Sequence, residues 1–351
     1  MRKSIFSVLI ILFVIGGVPA TAQELSEPEK NFEYLWKTFD RYYGIFLPKR
    51  VDWNLLYNVY RPKVTPKTTD DELFDIMAGM LGHLNDNHVR LRSPKRQFSA
   101  GVLQQTKNEG FSLDLIKAKY LKGIFSQGLG GRFHYGFLDD SVGYFHFSGF
   151  QGVAQSAAVV DEILEKFKDC RGIVIDIRNN FGSDDQVGKA IAGRFADKKR
   201  LYMITQIRNG ESHDAFAEPK YFYAEPAGPR QFTKPIVVLI HRYSISGADN
   251  FALAMRVLPH ATLVGETTSG CQADARGDKL PNGWIFSMAY TLFVDQDGFC
   301  WEGIGIPPDL RQVNANEDIA QGRDKVVELA IDLVKSGALK ARGEKRSYPI
   351  K

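Results

Sequence analysis

Much that would assign this chain to a familiar class is missing from it. Its three cysteines are an odd number, so at least one stays unpaired even in an oxidising compartment. The 45 basic residues barely exceed the 41 acidic ones, and that near balance argues against nucleic acid as a partner. No GxxxxGK[ST] phosphate loop occurs. His83 and His88 are five residues apart, off the i, i+4 spacing of a helical zinc motif, and the sequence shows no cysteine or carboxylate cluster to complete a site. No cofactor or metal is expected. The one long apolar run, Ile5 to Val18, is shorter than an ordinary membrane span.

That run follows Met1-Arg2-Lys3 and precedes Pro19-Ala20-Thr21-Ala22, the pattern of a secretory signal cut after Ala22. The expected mature chain starts at Gln23 and is exported, to the periplasm, the outer-membrane surface or beyond, with no stable membrane span. It keeps 329 residues, enough for one large domain or two modest ones.

Residues 23–95 read as a helical region. Phe32, Leu35, Trp36, Phe39, Tyr42 and Tyr43 follow helical spacing, Asp52 is a cap for a second helix, and Thr69 to Glu72 is a capping box opening a third. The third helix ends in Asn85-Asp86-Asn87-His88, which can present His88 at an edge. Residues 96–138 carry few signals and read as a connecting segment with two or three short strands at most. From 139 to 336 strands and helices alternate. The apolar runs GIVIDI and PIVVLI suit strands covered on both faces, which predicts a largely parallel α/β core. Trp284 to Phe293 reads as one added strand, residues 317 to 335 as a last helix, and 337–351 as a solvated basic tail.

The most informative stretch is Pro235 to Gly270. The strand PIVVLI turns at His241 to Gly247 into a helix from Ala248 to Leu258, leading to LVGETTSG. A serine where a core strand turns into a helix has its hydroxyl at the sheet edge beside backbone N–H groups, as an acyl-transfer nucleophile requires. Ser246 is the candidate, with Ser244 as the alternative. Cys170, ending a helix before GIVIDI, reads as a small buried apolar group.

Four motifs in order carry a resemblance: IVIDIRNNFGS, the turn Arg242-Tyr243-Ser-x-Ser246-Gly-Ala-Asp249, LVGETTSG, and Glu302-Gly-Ile-Gly-Ile-Pro-Pro-Asp309. Together they resemble the S41 peptidase family of C-terminal processing proteases and tricorn, over roughly residues 30 to 335. The resemblance implies a ClpP/crotonase-like catalytic core behind an N-terminal helical region, and a peptide or protein substrate. The segment where the family usually carries a PDZ domain is here about half the size one needs. One branch uses a serine and a lysine, but Cys271 stands at the lysine's place, and the nearest lysine, Lys279, follows Gly277-Asp278. The tricorn-like branch uses histidine, serine and glutamate, which implies His88 as base, Ser246 as nucleophile and Glu302 as the acceptor that fixes the imidazole. Asn87 stands where tricorn has a serine and would orient Glu302 or the imidazole. Oxyanion donors are implied at the backbone N–H of Gly247 and in the turn at Phe181 and Gly182. Cys271 and Cys300 flank the site and are a candidate disulfide pair. The rival reading is a catalytically inactive S41-like module that binds an apolar ligand or peptide, as retinoid-binding proteins of the eye do on a similar core.

Overall fold

The computed structural model describes residues 24–101, 109–149, 152–182 and 184–339. The signal segment and nearly all of the basic tail lie outside the described residues.

The chain enters through four helices, α1 (Glu27–Tyr42), α2 (Phe46–Lys49), α3 (Trp53–Tyr60) and α4 (Asp70–Gly82). Their starts follow from local chemistry. Glu29 accepts both the backbone N–H and the hydroxyl of Ser26, Asp52 accepts the Leu55 N–H, and Thr69 and Glu72 cap each other reciprocally. The apolar faces of α1 and α4 place Phe32, Leu35, Phe39, Leu73, Met77 and Leu81 in the main core.

Two short strands follow, β1 (Arg90–Arg92) and β2 (Gln97–Ser99), then the short helix α5 (Leu113–Leu115). The strands β3 (Lys122–Gly128) and β4 (Phe133–Asp139) come next. The α/β body comprises β5 (Val142–Phe147), α6 (Val153–Lys166), β6 (Gly172–Asp176), α7 (Asp185–Ala192), β7 (Arg200–Ile207), β8 (Lys220–Ala224), β9 (Ile236–Ile240), α8 (Gly247–Arg256) and β10 (Ala261–Gly265). The chain continues through β11 (Ala275–Lys279), β12 (Ile285–Ala289), β13 (Thr291–Asp295), β14 (Leu310–Arg311), α9 (Asn316–Ala320) and α10 (Lys325–Ser336).

A seven-stranded sheet in the order β14-β10-β9-β6-β5-β4-β3 forms the centre. It is parallel from β14 to β5 and antiparallel at β4 and β3. Every residue of β5, β6, β9 and β10 is buried, as the continuous apolar runs predict. Phe145, Ile173, Ile175 and Val238 pack toward α6, α7 and α8, while Val174, Val237 and Leu239 pack with Val326, Val327 and Ala330 of α10.

The sheet begins at Lys122, so the segment read as a connection supplies its two antiparallel strands. The strand β7 stands outside the central sheet and joins β8 and β13 in a separate three-stranded one. Two expectations change here. The added strand of 284 to 293 is two strands, β12 and β13, which pair into different sheets on either side of Tyr290. The last helix is broken at Gly322, whose φ of +73° ends α9 before Asp324 caps α10.

Candidate active site

The adjacent parallel strands β6 and β9 both end on the same edge, so the turns that leave them meet, as ligand-binding turns do at the carboxyl ends of open α/β sheets. The turn after β9 is held from inside by Ser244, which is fully buried. Its hydroxyl donates to the Ile177 carbonyl at 2.7 Å and accepts the His241 N–H at 3.1 Å. Both roles of that oxygen are taken, which removes Ser244 as a nucleophile.

Ser246 is different. It sits at φ +59°, ψ −119°, a left-handed conformation costly for a residue with a side chain, immediately before α8. Its carbonyl accepts the Asn250 N–H, and its side chain makes no capping bond to the helix. Gly247, as the first residue of α8, has an N–H without an acceptor inside the helix.

Asn180 ties the turn after β6 to this one. Its carbonyl accepts the Ile245 N–H at 2.9 Å, and its side chain donates to the Phe147 carbonyl. Gly182, at φ +72°, passes so close that a side chain there would collide with the Ile245 carbonyl and the Gly247 nitrogen. The turn therefore lies against Ser246 as expected, but its N–H groups do not stand ready for an oxyanion. Gly182 donates to Asn180 Oδ1 at 2.8 Å and Phe181 to the Ser148 carbonyl at 3.3 Å. The asparagine side chain folds back on its own turn and takes the donor that sequence reasoning assigned to catalysis. Of the three expected donors, Gly247 is the one at a helix start, where its N–H has no acceptor inside the helix.

His88 arrives from the N-terminal region. The short strand β1 pairs with β12, the Ser287 hydroxyl donates to the His88 carbonyl at 2.7 Å, and Asp86 accepts the His88 N–H at 2.7 Å. Asp86 is itself buried, with the Tyr43 hydroxyl donating to its other oxygen at 2.8 Å. Asn87 donates to the Ser269 carbonyl at 3.2 Å, so it ties the histidine's turn to the loop after β10.

Glu302 is buried, and its Oε2 accepts the N–H groups of Gln272 at 2.7 Å and Ala273 at 2.9 Å. That leaves Oε1 pointed at His88 Nδ1, 3.2 Å away. Burial and the charge of Asp86 raise the Glu302 pKa, against the lowering pull of His88 and the Ala273 N–H. Burial opposes the charged form of His88, but the bonds to Cys271 and Glu302 outweigh it and hold its pKa well above the ordinary histidine value. Burial pushes the Cys271 thiol up to about 11, so near neutrality the sulfur keeps its proton.

Cys271 is where sequence and structure part most clearly. All three cysteines are free thiols, so the bridge between Cys271 and Cys300 is not formed. Asp249, in the first turn of α8, accepts the Ser269 hydroxyl and the N–H groups of Gly270 and Cys271, and this turns Cys271 inward. Its Sγ lies 3.2 Å from His88 Nε2. Cys300 instead lines a surface pocket with Lys49, Leu84 and Asn85. Among the described residues no hydrogen bond joins Ser246 to His88; Nε2 faces the thiol. His88, Cys271 and Glu302 also form the cluster that spacing alone did not reveal, with ligand atoms within 4.8 Å of one another. Lys279 stands exposed at the end of the edge strand β11. Sequence reasoning quoted Asp249 within a motif but missed its role, and it missed Asn180 as the strut between the two turns.

Comparison with known proteins agrees with this architecture. The model of peptidase family S41 matches residues 141–312, and that of the tricorn protease C1 domain matches residues 26–82. A solved candidate peptidase from Parabacteroides merdae ATCC 43184 is 31% identical with a TM-score of 0.78, over 88% of this chain and 97% of that one. The chain belongs to peptidase family S41. Among curated proteins it is similar to the carboxy-terminal processing protease CtpA of Bacillus subtilis (strain 168), 25% identical over 174 residues, 49% of this chain and 35% of that protein. CtpB of the same strain is 30% identical over 212 residues, 55% of this chain and 42% of that protein. The chain thus spans well under half the length of these curated relatives. Mature CPAF complexed with lactacystin, at 13% identity and a TM-score of 0.65 over 88% of this chain and 99% of that one, shares the fold. Among the described residues no helix is long and apolar enough to cross a membrane.

Proposed function

We propose that this chain is an exported serine endopeptidase that hydrolyses peptide bonds in a peptide or protein substrate, with Ser246 as nucleophile, His88 as general base and Glu302 as its acceptor. One observation carries the reading: two backbone N–H groups fix Oε2 of Glu302, so that Oε1 meets His88 Nδ1 at 3.2 Å, on the site edge where Ser246 takes its left-handed conformation.

In this reading the Ser246 oxygen attacks the scissile carbonyl while His88 Nε2 takes its proton, and Glu302 holds the Nδ1 proton in place. The Gly247 N–H donates to the oxyanion. His88 then gives its proton to the leaving amine, and water repeats the sequence on the acyl-enzyme. For this, Nε2 must be unprotonated and exchange the Cys271 thiol for the Ser246 hydroxyl, and losing the Cys271 bond removes one of the interactions that raise the His88 pKa. Catalytic hydrogen bonds commonly tighten only when substrate is bound. Lys279, exposed on β11, takes no part.

A fluorophosphonate probe tests this. Covalent labelling that maps to Ser246 and vanishes in Ser246→Ala is the expected result. A well-folded chain that stays unlabelled at Ser246 overturns the serine mechanism and leaves the binding-module reading in its place. For export, the expected N-terminus of the processed chain is Gln23, checked by N-terminal sequencing of secreted material.

A further inference from the structure

We propose that His88, Cys271 and Glu302 form an inhibitory site for zinc or a comparably thiophilic divalent cation. Three chemically different ligand types meet in one buried corner: an imidazole, a thiol and a carboxylate, with all three ligand atoms within 4.8 Å of one another. Nδ1 of His88 is 3.2 Å from Glu302 Oε1 and 3.8 Å from Cys271 Sγ. Tetrahedral zinc with ordinary bonds to sulfur, nitrogen and oxygen needs edges of about 3.3 to 3.6 Å between such atoms. Two edges of the triangle are therefore close to zinc-sized before any movement, and the third, between Glu302 and Cys271, lies within 4.8 Å and closes by a shift of about 1 Å.

The surroundings fit a cation. Asp86 Oδ1 lies 3.7 Å from the same Nδ1, a second carboxylate beside the site. Glu302 does not have to give up its support, because Oε2 keeps the Gln272 and Ala273 N–H groups while Oε1 turns to the metal. Cys271 is likewise held by its backbone, through Asp249, with the sulfur already pointed at the ring. A thiolate and an imidazole select zinc or cadmium over magnesium and calcium, which prefer all-oxygen sites. On binding, the Cys271 S–H bond breaks, its proton goes to solvent and a zinc–sulfur bond forms. The metal also displaces the proton held between His88 Nδ1 and Glu302 Oε1, and that proton likewise goes to solvent.

The inhibition rests on the peptidase reading; the binding does not. In the mature chain, cobalt(II) chloride serves as the spectroscopic probe. One equivalent should give a thiolate-to-cobalt charge-transfer band and the intense visible bands of four-coordinate cobalt, and zinc chloride should displace it. Cys271→Ser should abolish the charge-transfer band and weaken zinc binding at least tenfold, whereas Cys300→Ser and Cys170→Ser should keep both. Glu302→Gln should weaken binding while leaving the sulfur band in place at saturation. A band that survives Cys271→Ser, or wild-type protein that takes up no stoichiometric metal, overturns the site whatever the activity shows. Stoichiometric zinc should also stop peptide hydrolysis, reversibly with a chelator, and magnesium chloride should not. Metal bound through Cys271 with turnover unchanged would overturn the catalytic pairing of His88 and Glu302 and leave the metal site standing.

Discussion

Ser244 and Ser246 stand two residues apart in one turn and have opposite fates: the first is buried with its hydroxyl bonded on both sides, the second is held in a left-handed conformation with no capping bond to its helix. The contrast separates scaffold from chemistry within a single motif. Ser246→Ala should remove hydrolysis of casein and leave the thermal midpoint within a few degrees, because one solvent-edge hydroxyl contributes little stability. Ser244→Ala should do the reverse in kind: it removes the acceptor of the buried His241 N–H and one of two donors to the Ile177 carbonyl, which keeps the Asn180 N–H, costing about 1 to 3 kcal/mol, while partial activity remains. Parallel melting curves and turnover assays distinguish the two.

Replacing Glu302 by glutamine puts an amide where one oxygen accepts two backbone N–H groups and the other faces His88. An amide has one acceptor oxygen, so one of those relationships turns repulsive. Turnover should fall by about 10- to 1,000-fold with KM little changed, since the loss falls on the transition state. An unchanged turnover number in steady-state assays would remove Glu302 from the mechanism.

Gly182→Ala should be more damaging than the small size of the change suggests. The added methyl meets the Ile245 carbonyl and the Gly247 nitrogen, and the φ of +72° is itself unfavourable for alanine. The nucleophile turn has to move, so fluorophosphonate labelling of Ser246 should slow at least tenfold even where the circular dichroism spectrum is native. Labelling at the wild-type rate would show that the two turns are not mechanically linked.

Asp185, at the start of α7, ends a chain of hydrogen bonds that runs through the Asn250 side chain to the Gln272 side chain, whose backbone N–H donates to Glu302. Burial raises its pKa from 3.8 to about 6. A carboxyl with a raised folded pKa stabilises fully below its unfolded value, near pH 4, and that contribution is lost as pH rises through about 6. Two units correspond to about 3 kcal/mol, and partial exposure reduces this to about 1 to 2 kcal/mol. Asp185→Asn keeps an acceptor for Asn250 and cannot ionise. It should match the wild type near pH 4 and exceed it by that amount at pH 7, in urea titrations run across this range. Equal slopes of stability against pH would contradict the assignment.

The sequence made the central strands legible because burial on both faces leaves unbroken apolar runs, as in GIVIDI and PIVVLI. It also placed Ser246, since a serine between such a strand and a helix has few other uses. What it could not reveal was where each polar group's hydrogen bonds end. The Asn180 side chain takes the Gly182 N–H, and Asp249 turns Cys271 inward; both are consequences of three-dimensional proximity between segments far apart in the chain. The same limit explains the missed cluster, because residues 88, 271 and 302 share no spacing rule. The short strands expected in the connecting segment could not be placed in a sheet, because β3 and β4 carry no unbroken apolar run of the kind that marks β6 and β9.

The pairing of β1 with β12 has a consequence for how the protein comes into being. The strand that delivers His88 is made early, and its partner strand belongs to a segment synthesised almost two hundred residues later. Until that ribbon closes, the nascent polypeptide has a histidine without Glu302 and a serine with no base. Under the proposed reading, a half-made or half-unfolded chain is therefore harmless to its neighbours. Hydrolytic competence is a property of the finished tertiary structure alone, and it should disappear together with the β1–β12 ladder when the protein begins to unfold.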